Sequence, residues 1–212
     1  MSQFVNAYQD YKGFGKTGDY IVRMSRYSAL VAEKLGLPDK EVKNILYAAP
    51  MHDIGKIGIP DSILTKPDKL TDEEFDIMKT HTSIGAKILA NSKAEILQTA
   101  QKIAISHHEK WNGKGYPLGH SGTKIPIIGR IVSISDTFDA LTSRRPYKDP
   151  YPIEVAIKII KKERGQQFDP DVVDIFLANM DEILKIKNEV GLSKDVSLSD
   201  FSWSERDQAD GR

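Results

Sequence analysis

His52-Asp53-Ile54-Gly55-Lys56 sets an imidazole beside a carboxylate, and three later stretches continue the series: His81, then the adjacent pair His107-His108, then Asp136. The 212-residue chain has only five histidines; four fall in this series, and the fifth, His120, lies in a Gly-rich loop and reads as a solvated loop residue. Imidazole nitrogen and carboxylate oxygen together suit Zn, Mn, Fe or Ni, and with no cysteine in the chain, thiolate zinc and iron–sulfur sites are excluded. A lone inward histidine is more often a hydrogen-bonded core residue than a ligand. The ordered series in so His-poor a chain favours a metal site. Six candidate ligands exceed what one tetrahedral ion needs, and an aspartate can bridge, so the arithmetic points to two metals.

Working outward, the hydrophobic spacing predicts helices that deliver these residues. Pro38-Asp39-Lys40-Glu41 reads as a helix start, with Val42, Ile45, Leu46 and Ala49 as the apolar stripe. Its continuation brings His52 or Asp53 to the buried face before Gly55 ends the helix. Thr71-Asp72-Glu73-Glu74 is a capping box that opens a second helix, with Phe75, Met78 and His81 on one face. Ile96, Ala100, Ile103 and His107 share a face of a third, and Ile127, Ile131, Ile134, Phe138 and Leu141 line the helix that bears Asp136.

Further helices open at Pro152, ending near Gly165, and at Asp169-Pro170, running through Val173, Phe176, Met180 and Leu184. Alternation of the kind that makes strands is scarce, so the fold class is all-α. Two long irregular stretches, Gly55 to Leu70 and Trp111 to Pro126, flank candidate ligands, and long loops in compact domains are usually functional. Residues 1–15 read as a leading segment or linker, 16–190 as the domain, and 191–212 as a polar, disordered tail.

Thirty basic and thirty acidic residues give a formal net charge of zero, which argues against a general nucleic-acid or membrane-surface binder. The absence of cysteine is consistent with a reducing compartment. No signal peptide or bilayer-spanning run is present, so the expected location is cytoplasmic. Arg144, Arg145 and Lys148 cluster after the Asp136 helix and, by themselves, read as an ordinary solvated helix end.

The series HDIGK, HTSIG, HHEKWNGKGYP and SDTFDALTSRRPYK resembles the HD-GYP domain, a branch of the HD phosphohydrolases, over roughly residues 16–185. The resemblance implies an HD-domain helical bundle around a metal centre, and hydrolysis of cyclic di-GMP to pGpG or on to GMP. It also implies metal ligation by His52, Asp53, His81, His107, His108 and Asp136, with Asp53 bridging two divalent ions. Fe or Mn fit best, with Ni or Zn as alternatives. By the same resemblance Asp53 and Lys56 take the catalytic roles and Arg145 and Lys148 contact phosphate. Gly113, Gly115, Tyr116 and Pro117 form the signature loop beside the substrate. Receiver, sensory or GGDEF-type domains are the implied partners.

One departure from the family pattern stands out. Its usual Glu and His, four residues apart at the start of the core, are here Lys16 and Tyr20, followed by Arg23 and Tyr27 as the pattern requires. An ammonium at residue 16 repels a cation, so a third ion is not expected. Tyr20 is read as a packing residue in the stripe Tyr20, Met24, Tyr27, Val31 and Leu35, leaving the ion of His52, Asp53 and Asp136 weakly held. The alternatives are a degenerate domain that binds cyclic di-GMP or a protein without turnover, and a phosphodiesterase for another cyclic dinucleotide.

Overall fold

The first helix, α1 (Thr17–Lys34), presents Met24, Tyr27 and Val31 inward, all fully buried, at the spacing that its sequence predicts. The computed structural model describes residues 17–144 and 149–192, and among them there are helices and turns but no strand. The bundle continues with α2 (Asp39–Ala48), α3 (Asp61–Leu64), α4 (Asp72–Lys79), α5 (His81–Ile88) and α6 (Glu95–Ser106). It is completed by α7 (Ile127–Thr142), α8 (Ile153–Lys162), α9 (Pro170–Ala178) and α10 (Met180–Leu192). Helix α1 packs on α2, α7 and α10, while α6 packs on α2, α5 and α7. Helix α7 is the central element. Ile131, Ile134 and Phe138 have no exposed surface, and each such side chain contributes roughly 1.5–3 kcal/mol by leaving water.

Several helices end sooner than their apolar stripes suggest. Helix α2 stops at Ala48 and gives way to a 3-10 turn at Ala49–Met51, because Pro50 has no N–H to offer the Leu46 carbonyl. His52 and Asp53 therefore sit on a tight corner between two 3-10 turns, the second being Ile54–Gly58, and not on one long helix ending at Gly55. The capping box at Thr71 and Glu74 forms as expected. His81, however, begins a separate helix, since the Thr80 hydroxyl donates to the Ile77 carbonyl at 2.6 Å and competes with the backbone. Asn179 likewise bonds its side chain to the Ile175 carbonyl at 2.8 Å and divides the last predicted helix into α9 and α10. Ile96, expected inward, lies 38% exposed in the first turn of α6.

The stretch from Gly55 to Leu70 is more ordered than a loop. It holds α3 and builds a second, smaller core from Ile59, Ile63, Leu64 and Met78 beneath Phe75 and Ile84. Helix α10 runs to Leu192, past the expected domain end at 190, and the expected tail beyond it lies outside the described residues. No helix among the described residues is long and apolar enough to cross a membrane.

A buried ion pair ties α1 to α7. Arg23 donates from Nε to Asp139 Oδ1 at 2.6 Å and from a terminal nitrogen to Oδ2 at 2.9 Å, and Ser143 closes the group with bonds to both. Removing one partner strands the other charge in the core. Asp139→Ala should therefore cost about 3–5 kcal/mol, read as a lower urea midpoint at unchanged m-value; a loss under 1 kcal/mol would contradict a fully compensated buried pair.

Candidate metal centre

Three ligand candidates are fixed in the same way, through the imidazole nitrogen that points away from the site. His52 Nδ1 lies 2.9 Å from the Ala49 carbonyl, and His81 Nδ1 lies 2.7 Å from that of Met78. His107 Nδ1 shares the carbonyls of Ile103 and Ala104 at 3.0 and 3.1 Å. A carbonyl only accepts, so each Nδ1 carries the hydrogen and, in the neutral ring, each Nε2 presents a lone pair inward. The corner after Pro50, the start of α5 and the end of α6 are thus aimed at one point. Their approach is close: a side chain at Gly55 would run into the His81 carbonyl, and one at Gly129 into Ser106, just before His107.

Asp53 stands at the centre. Its Oδ1 faces His81 Nε2 at 3.3 Å and His107 Nε2 at 3.8 Å; its Oδ2 faces His52 Nε2 at 3.2 Å and pairs with the Lys56 ammonium. One donor atom from each of Asp53, His81, His107 and His108 lies within 4.8 Å of the others. Asp53 Oδ1, His81 Nε2 and His107 Nε2 are buried without a hydrogen-bond partner, which an ordinary polar core does not leave. A divalent cation fits these orphaned atoms.

Electrostatics agree with that fit. Burial opposes ionisation of Asp53, but Lys56 and His52 beside it outweigh burial and hold the carboxyl well below its usual range. Burial pushes His81 down to about 4, and burial with His107 and His81 nearby pushes His108 well below 6.5. Both are neutral imidazoles near neutral pH, the form that binds a metal.

His52 and Asp136 are placed beside this group but are engaged differently. The Tyr20 hydroxyl donates to Asp136 Oδ1 at 2.5 Å and lies 3.1 Å from His52 Nε2. Tyr20 is therefore more than the packing residue that its stripe suggests. Its ring does pack on the core, yet its oxygen reaches the site. Burial, with Asp136 and Asp53 close by, pushes its ionisation well above 10.0, so it is a neutral phenol. Its one hydrogen goes to Asp136, which only accepts. The contact with His52 becomes a bond when Nε2 also carries a hydrogen. Burial disfavours that charge, but Asp53 and then Asp136 outweigh burial and raise the His52 value.

The signature loop folds over the same centre. Tyr116 stacks on the His108 ring at 4.9 Å and 27°, and its N–H donates to the His108 carbonyl at 3.3 Å. The Tyr116-Pro117 bond is cis. Gly115 lies where a side chain would strike the backbone of Glu109 and Lys110, and Gly113 has φ of 80°. Glu109, which the sequence reading did not single out, is 2% exposed and accepts the Leu118 N–H at 2.7 Å. The signal was available: an acid directly after two candidate ligand histidines and ahead of a glycine loop. His120 is half-buried rather than solvated. Lys16, Arg145 and Lys148 lie outside the described residues, and Arg144 is exposed.

A family model described as HD domain matches residues 9–172. A cyclic di-GMP phosphodiesterase of Thermotoga maritima is 46% identical over 184 residues, covering 87% of this chain and 50% of its own. A 3'3'-cGAMP-specific phosphodiesterase of Vibrio cholerae is 43% identical over 172 residues, covering 81% of this chain and 33% of its own. The chain thus spans half or less of the length of these relatives. A cyclic GMP-AMP-specific phosphodiesterase of V. cholerae, solved as a crystal structure, is similar at a TM-score of 0.59 and 18% identity, covering 82% of this chain and 48% of that one; at this identity the likeness is one of fold.

In metal-stripped protein the two signs of histidine shift should separate. His81, depressed from 6.5, contributes stability that is full above pH 6.5 and lost as pH falls through about 4. His52, raised, contributes stability that is full below 6.5 and lost as pH rises through its higher value. Imidazole NMR titrations should place His81 below and His52 above 6.5; the reverse order would refute the charge arrangement described.

Proposed function

The chain belongs to the HD domain family, in its HD-GYP branch, and from that membership we propose that it is a metal-dependent phosphodiesterase hydrolysing cyclic di-GMP to pGpG, or on to GMP. The observation that carries the reading is Asp53, with its unpartnered oxygen among the unpartnered nitrogens of His81 and His107 and with Lys56 at its other oxygen. Asp53, His81, His107 and His108 hold the ion. Fe or Mn suits this nitrogen and oxygen set, with Ni or Zn as alternatives. When bound, the ion polarises a phosphoryl oxygen and acidifies water for attack.

The rest is chemistry of the chain. The oxygen of water bonds to phosphorus as the bond to the ribose oxygen breaks, and that oxygen takes up a proton from solvent to leave as the hydroxyl. Asp53, held ionised, accepts the proton of the incoming water. Lys56, 18% exposed at the edge of the cluster, offsets charge that develops on the non-bridging oxygens. Arg145 and Lys148 hold the phosphates, the planar Arg fork fixing orientation as well as charge. They follow Ser143, which the buried Arg23–Asp139 pair anchors. Gly113, Gly115, Tyr116 and Pro117 border the substrate and also buttress His108, since Tyr116 covers its ring.

A second reading has its own support: the 43% identical relative is named for 3'3'-cGAMP, so a hybrid cyclic dinucleotide is the alternative substrate. A binding-only domain is the other alternative. Receiver, sensory or GGDEF-type domains as partners, a cytoplasmic location and the lack of a third ion belong to the same proposal.

Two sets of measurements test it. Protein loaded with Mn or Fe should convert cyclic di-GMP to linear product faster than it converts 3'3'-cGAMP; binding without any product from either would favour the binding-only domain. Lys56→Ala should lower kcat about 10²–10³-fold with little change in affinity, if its charge acts in the transition state. Arg145→Ala should instead weaken binding about 10-fold and leave metal content unchanged. Loss of the metal in Arg145→Ala would place that residue in the wrong role.

A further inference from the structure

The six residues that the sequence assigns to a metal pair do not present six available donors. Asp53 Oδ1, His81 Nε2 and His107 Nε2 are buried and unpartnered, and His108 joins them within 4.8 Å. His52 and Asp136 face the Tyr20 hydroxyl instead, at 3.1 and 2.5 Å. That oxygen touches a nitrogen and a carboxylate contributed by residues 32 and 116 positions away, which is where an ion shared by them would sit. The one hydroxyl hydrogen satisfies Asp136 Oδ1, and the oxygen fills the space in front of His52 Nε2. An incoming cation must break both contacts and displace a ring that is anchored in the main core.

We propose that Tyr20 is a built-in substitute for a second ion: its hydroxyl closes the subsite of His52 and Asp136, and the centre is mononuclear, with Asp53, His81, His107 and His108 as its ligands. This rests on the reading of those four residues as a metal centre. The expected pair of ions bridged by Asp53 does not fit the donors that the structure leaves open. Asp53 Oδ2 is occupied by the Lys56 ammonium, with His52 Nε2 at 3.2 Å. Tyr20 thereby becomes a positioning residue. It fixes His52 and Asp136 behind the ion without touching it, much as the backbone carbonyls fix the Nδ1 side of the ligand imidazoles.

The one-ion centre keeps the Lewis acid and loses the second positive charge that in two-metal sites stabilises the leaving oxygen. More of that work then falls to the cations of the chain, Lys56 first among those described.

The test counts ions, with activity left aside. Metal-stripped protein is saturated with Mn²⁺, freed of excess, and its metal per chain is measured by elemental analysis, with the electron paramagnetic resonance spectrum recorded beside it. The wild type should hold one ion per chain and give the hyperfine pattern of an isolated Mn²⁺. Tyr20→His, which offers a nitrogen lone pair in place of the hydroxyl, should rise to two ions and show a spin-coupled pair. Tyr20→Ala, which simply opens the space, guards against misfolding of the first variant and should also gain the second ion. Two ions in the wild type would overturn the proposal alone, as would one ion in all three folded proteins. A visible tyrosinate-to-iron absorption band in ferric protein would overturn it too, since Tyr20 would then be a ligand. No ion in any of them would overturn the metal-centre reading and the proposal with it.

Discussion

The Asp53 carboxylate is the constraint from which the rest of this molecule follows. It is a charge held at 25% exposure among three imidazoles, and leaving an ion so poorly hydrated costs several kcal/mol unless it is compensated. Compensation comes from Lys56 and His52 at one oxygen, while the other faces the unpartnered nitrogens of His81 and His107, a donor set that fits a cation. Bringing those nitrogens to it requires a corner after Pro50, a helix that begins at His81 and another that ends at His107. The glycines at 55 and 129 permit the contact, because any side chain there would push the histidine-bearing segments apart.

The same demand explains the signature loop. His108 has no backbone carbonyl to orient it as its three counterparts do among the described contacts; the stacked Tyr116 ring takes that part. Glu109 then fixes the loop from below through the Leu118 N–H. Trp111 and Asn112 tie the loop's base to Gln167 and Gln166, just before α9. The loop is thus held at both ends, and the backbone that carries it also supports His108.

Much of this was legible from the residues. The histidine series pointed to the residues that converge because few other histidines compete, and the stripes on α1, α6 and α7 named their buried faces with Ile96 the exception. The capping box at Thr71 was a local signal and formed locally. Helix breaks were harder to see. Periodicity carries across Pro50, Thr80 and Asn179, while the hydrogen bonds that stop each helix depend on a single missing donor or competing side chain. Tyr20 was read only in part, for a related reason. Its ring obeys the apolar stripe, and nothing near it in sequence reveals that its hydroxyl meets Asp136, a partner 116 residues away. The family resemblance marked the position as unusual but did not say what the phenol does there.

The central question is whether the Asp53 cluster holds an ion on which hydrolysis depends. The most direct measurement returns Mn²⁺ or Fe²⁺ stepwise to fully stripped protein and follows cyclic di-GMP cleavage and bound metal in the same samples. Cleavage should be absent at the start and rise in proportion to the metal bound. Cleavage at full rate by stripped protein would contradict the account.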